Sequence, residues 1–114
     1  MKQIIDNIKA ELKNSDYNKN KVIELLKALR ENFKANLNEP GYVRMIRLAY
    51  EDLEANGDYT FLFLEEDGGK ENLEYLVDLL GDYSHKLNRE ELQEIRNLME
   101  GIVPEEEGTE GTEA

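Results

Sequence analysis

Residues 59 to 64 read Tyr-Thr-Phe-Leu-Phe-Leu, the most apolar run in the chain, and hold two of its three phenylalanines. Asn56-Gly57-Asp58 precedes the run and Glu65-Glu66-Asp67-Gly68-Gly69 follows it, both hydrophilic and turn-forming. An apolar run left in water between such flanks invites aggregation, so the fold is expected to hide it. Composition alone makes it a buried strand. Yet no second strand is found elsewhere, and a lone buried strand leaves backbone groups unpaired at considerable cost. The segment is therefore read as a short helix, with Asp58 as its N-cap and Gly68 just past its C-terminus. Phe61, Leu62 and Leu64 would then reach the core. The strand reading survives only if the segment pairs with its copy across a dimer.

The rest of the chain reads as amphipathic helices arranged around that run. Ile4, Ile5, Ile8 and Leu12 form one stripe, ended by Asn14-Ser15-Asp16. Val22, Leu25, Leu26, Leu29 and Phe33 form a second, capped at Asn18 or Asn20. The short link between them favours an antiparallel hairpin. Leu37-Asn38-Glu39-Pro40-Gly41 is the clearest break, because proline excludes helical geometry before it and suits a helix's first turn. A third helix follows with Val43, Ile46, Ala49, Tyr50 and Leu53, and stops at the Asn56-Gly57 pair. The next runs from about Lys70 to Leu87 on Leu73, Leu76, Val77, Leu80, Ser84 and Leu87, with Gly81 marking a kink, a close crossing or an early end. Asn88 and Glu91 make a capping box for the last helix, whose buried stripe is Leu92, Ile95, Met99 and Ile102.

The expected fold class is all-α: five long helices, or a small bundle of four long helices plus one short helix, with a disordered acidic C-terminal tail. Residues 1–104 form the single helical-bundle domain and residues 105–114 the tail. The chain has no cysteine, which excludes disulfides and thiol chemistry and fits a reducing cytoplasm. The N-terminal residues meet a charge before any long apolar region, so they do not read as a secretory leader, and no window is apolar enough for a membrane span.

Charge is the other informative property. The formal net charge is −12, unevenly spread. Residues 1–36 balance to +3, residues 37–104 to −10 and residues 105–114 to −5. A phosphate backbone would be repelled, which argues against nucleic acid as a partner. A basic protein would be attracted.

Catalytic and ligand motifs are sparse. His85 is the one histidine, and its neighbour Ser84 points elsewhere on a helix, so no nucleophile–base arrangement follows. Gly68-Gly69-Lys70 precedes a helix like an anion loop, but Glu65, Glu66, Asp67, Glu71 and Glu74 surround it. Asp52, Glu54, Asn56 and Gly57 imitate the start of a calcium loop, whose last ligand position then falls on Phe63. No metal or cofactor is expected, and no enzyme activity.

What stands out is the stretch from Glu51 to Asp82, with eleven acids and one base, Lys70. Glu71, Glu74, Asp78 and Asp82 share one helix face. The expected partner-binding residues are Glu51, Asp52, Glu54, Glu71, Glu74, Asp78 and Asp82, with Tyr75 and Leu79 as apolar contributors at the edge. The function expected is a non-enzymatic protein-binding module, of adaptor, inhibitor or immunity type, that offers this acidic face to a basic partner. The competing readings are a homodimer built on Tyr59–Leu64, with the acidity only solubilising, and a carboxylate-based enzyme.

Overall fold

The α-helices follow the apolar periods closely: α1 Lys2–Leu12, α2 Lys19–Asn36, α3 Pro40–Asn56, α4 Gly69–Gly81 and α5 Lys86–Glu100. The structure, a computed structural model, describes residues 1–101. It is all-helical, with no strand among the described residues. The tail expected over residues 105–114 lies outside them. No described helix is long and apolar enough to cross a membrane.

Local chemistry explains most of the boundaries. The Asn18 side chain accepts the Lys21 N–H at 3.1 Å and so starts α2. Pro40 occupies the first turn of α3. Gly57 ends α3 in the left-handed region at φ 71°, and its N–H donates to the Leu53 carbonyl. Ile5, Ile8 and Leu12 of α1 meet Leu26, Leu29 and Phe33 of α2, Met45, Ile46 and Leu53 of α3, Leu73, Leu76 and Leu80 of α4, and Leu92 and Ile95 of α5 in one buried cluster.

One expected helix is shorter than its apolar pattern. The stripe drawn through Leu87 breaks at Gly81, and Leu87 is 61% exposed. The break frees Tyr83 to turn its ring toward Phe33 and Tyr42, at centroid distances of 5.8 and 6.1 Å. The cap of α5 is accordingly His85, whose Nδ1 accepts the Leu87 N–H, rather than Asn88. Asn88 instead donates its side-chain N–H to the Asp82 carbonyl.

The principal packing partners close a ring. α1 lies between α2 and α4, α3 packs on α2 and α5, and α5 packs on α4. α3 and α4 are consecutive in sequence but not principal neighbours in this ring. The chain therefore needs a long connection between them, and residues 57–68 supply it as a strap across one end of the bundle.

The strap contains the Tyr59–Leu64 run, and here the expectation of a short helix is corrected. No helical turn forms over these six residues, and no strand pairing either. The expectation of a hidden run is corrected as well. Tyr59 is 1% exposed, Phe61, Phe63 and Leu64 are half-buried, and Leu62 is 41% exposed. A helix is unnecessary because side chains from α3 and α4 satisfy the backbone instead.

Candidate partner-binding surface

Two buried polar side chains peg the strap. Asp52, on α3, accepts the Thr60 N–H and, at 2.8 Å, the Thr60 hydroxyl, and also takes a hydrogen bond from the Asn56 amide. Asn72, on α4, accepts the Leu64 N–H at 2.7 Å through Oδ1. Its Nδ2 donates to the Leu64, Asp67 and Gly68 carbonyls. Each peg supplies bonds that regular secondary structure would otherwise provide. Between them Tyr59 plugs the end of the core, and burial raises its hydroxyl pKa well above the ordinary tyrosine value. Gly69 opens α4 directly beneath this plug, where a Cβ would run into the Tyr59 carbonyl and the Asp58 carboxylate.

The pegs hold the middle of the strap toward solvent. The Phe63 ring lies parallel to that of Tyr75 on α4, with centroids 6.3 Å apart and an interplanar angle of 10°. The Tyr75 hydroxyl donates to Glu91 Oε1 on α5 at 2.7 Å. That hydrogen bond, and then burial, push its pKa up to about 12. Phe63, Leu64, Glu65, Glu66 and Asp67 line a shallow, open depression beside this pair.

Of the nine residues expected to bind a partner, seven fall on two surfaces and two, Asp52 and Leu79, are buried. Glu51 and Glu54 lie on α3 and face the chain's own cations: Glu51 stands 3.7 Å from Arg47, and Glu54 stands 3.3 Å from Lys27 of α2. Asp52 is buried as the Thr60 peg. On α4, Leu79 is buried in the core and Asp78 pairs with Lys9 of α1, whose pKa the hydrogen bond raises. Glu71, Glu74 and Asp82 make no ion pair among the described residues, and Tyr75 is half-buried beside Phe63.

Some of the carboxylates without an ion pair gather around the strap, and sequence reasoning only partly found them. Every ion pair among the described residues lies outside Glu65, Glu66, Asp67, Glu71, Glu91 and Glu94. Glu91 of α5 accepts the hydrogen bond of the Tyr75 hydroxyl, which places it at the edge of the Phe63–Tyr75 pair, and the charge of Glu94 one turn on also raises that hydroxyl's pKa. They were missed because they lie outside the acidic stretch in sequence and join it only through α4–α5 packing. The remaining signal was available: a hydrophobic run flanked by acids, with an asparagine on the core stripe of the following helix. Among the described residues no group of three or more His, Cys, Asp or Glu side chains could hold a metal ion. No family model matches the chain, and no curated protein or solved structure matches it.

Proposed function

We propose that this chain is a non-enzymatic protein-binding module that offers the carboxylates of the strap, α4 and α5 to a basic protein partner. One observation carries the reading: Glu65, Glu66, Asp67, Glu71, Glu91 and Glu94 lack the internal cations that serve Glu11, Glu39, Glu54 and Glu100. Unneutralised like charges raise the folding free energy unless another molecule supplies the counter-charge. An adaptor, or an inhibitor of immunity type that covers a basic nucleic-acid-binding or toxin surface, would use such a region. Nucleic acid itself would be repelled. The cysteine-free composition supports a cytoplasmic setting for this role.

The test compares the wild type with the triple variant Glu66→Lys, Glu71→Lys, Glu74→Lys, which spares Asp78 because of its Lys9 contact. Both proteins are immobilised and challenged with native lysate at low salt, then eluted with salt. The expected result is a basic protein retained by the wild type and lost from the variant, with helical circular dichroism unchanged. Retention of the same proteins by both would overturn the reading. The 41% exposure of Leu62 favours a second reading, homodimerisation through the strap. Sedimentation as a pure monomer at high micromolar concentration would remove it.

A further inference from the structure

The aromatic side chains of this protein differ in what stands over them. Lys19 lies over the Tyr17 ring, Lys27 over Tyr50 and Arg89 over Tyr42, at 5.1, 5.5 and 5.5 Å from the centroids. Phe33, Tyr59, Phe61 and Tyr83 have no such cation among the described residues, and neither do Phe63 and Tyr75, beside which Glu91 and the carboxylates of residues 65–67 stand. A ring face beside carboxylates attracts a cation twice, through its quadrupole and through the neighbouring charge. Leu62 precedes Phe63 in the chain and is the one large hydrophobic of the strap that is exposed.

Resting on the reading above, we infer that the partner docks with a short segment that carries both an arginine or lysine and an apolar side chain. The cation lies on the Phe63–Tyr75 pair within reach of Glu66 and Glu91, and the apolar side chain covers Leu62. Charge selects this occupant over the alternatives. A second copy would bring Glu65, Glu66 and Asp67 against their own counterparts. Residues 102–114 of the chain carry five carboxylates and no base, so they are repelled too. A purely basic segment would leave Leu62 in water, and a purely apolar one would desolvate the carboxylates without a counter-charge.

Two blocked eight-residue peptides of equal charge test this, one alternating arginine with leucine and one alternating arginine with serine. Each is titrated into isotopically labelled protein at low salt, and amide and aromatic resonances are followed. The expected result is that the arginine–leucine peptide binds about tenfold more tightly than the arginine–serine peptide, as burial of one exposed leucine predicts. Its shifts should centre on residues 61–67 and the Tyr75 ring. Leu62→Ser, at an exposed position that the core does not use, should remove the tenfold preference and leave the arginine–serine peptide unaffected. Equal binding of both peptides, or a preference that survives Leu62→Ser, would overturn this inference while leaving the acidic surface as a charge-only binder. No binding of either peptide would overturn the inference and the proposed function together. Concentration-dependent shifts of residues 61–64 without peptide would assign the patch to a second copy, and so overturn the inference alone.

Discussion

At the two ends of α3 the chain makes two different connections. The α2–α3 link takes three residues, Leu37 to Glu39, and the α3–α4 strap takes twelve, Gly57 to Gly68. The link joins direct neighbours, and the helix ends satisfy its backbone. The Leu37 N–H donates to Phe33, the Glu39 carbonyl accepts from Tyr42 and Val43, and Pro40 has no N–H to place. The strap joins helices that are not principal neighbours, and its backbone leans on Asp52 and Asn72. A short link between packed helices is a local problem that capping residues solve. A long one between separated helices borrows polar side chains from the core faces of both.

The largest blow to that contrast should come from Gly69→Ala. Its Cβ would strike the Tyr59 carbonyl, which is backbone and cannot swing away, as well as the Asp58 carboxylate. We expect a loss of about 3 kcal/mol in urea denaturation, at the upper end of ordinary overpacking. Gly68→Ala, whose Cβ would meet only the Glu71 carboxylate, should stay within about 1 kcal/mol of the wild type. Equal effects at the two glycines would mean that the strap does not press on α4.

Asn72→Leu comes next. It keeps the branched shape and the number of heavy atoms, though with bulkier methyl ends, but removes four hydrogen bonds to the strap, and should cost about 2 kcal/mol, part of which water recovers at the exposed backbone. Hydrogen exchange at the Leu64 amide should accelerate strongly, while amides in the middle of α2 keep their protection relative to global stability. If all regions accelerate alike, the strap is part of the global folding unit, and the contrast with the link loses its energetic side.

The short link should respond far less. Pro40→Ala leaves its capping bonds in place and should lower stability by about 0.5 kcal/mol, through a less restricted unfolded chain. A loss as large as that of Asn72→Leu would show that the link depends on more than local geometry.

The smallest expected effect at neutral pH is a dependence on alkaline pH to which the strap end contributes. The Tyr75 hydroxyl is held up to about 12, and burial raises that of Tyr59 further. Between the ordinary tyrosine value near 10 and the folded values, the native protein keeps protons that the unfolded chain releases. Its stability therefore falls as pH rises through about 10 to 12 and is unaffected by these groups below that window. Tyr75→Phe should flatten this decline. An unchanged slope would mean that the other raised groups, Tyr59, Tyr42, Tyr17 and the ion-paired Lys9 and Lys27, account for it.

The helices were legible because their signals are local. Asn18, Pro40 and Gly57 act within one turn of the residues they cap, and the stripes of α1 to α3 need no knowledge of partners. The early end of α4 was half legible: Gly81 marked the place, but the reason, Tyr83 turning to Phe33 and Tyr42, lies in three separate elements. The strap was not legible because its satisfaction is tertiary. Asp52 was counted among surface acids, yet it lies on the core stripe with Ala49 and Leu53, and Asn72 shares the stripe of Leu73 and Leu76. A polar residue on a core stripe beside a long connection is the sign that a segment is tied down there. The division of the acids into paired and unpaired sets also needed coordinates, since Lys9 and Asp78 are far apart in the chain.

The pegs reach equal distances into the strap, Asp52 eight residues forward to Thr60 and Asn72 eight residues back to Leu64. Only three residues are left between the tied points, and Leu62 stands at their centre. Foreign sequence spliced in beside Leu62 would enter with both of its ends already clamped and the helices undisturbed. The architecture thus marks a single port at which a loop insertion is expected to leave the bundle folded.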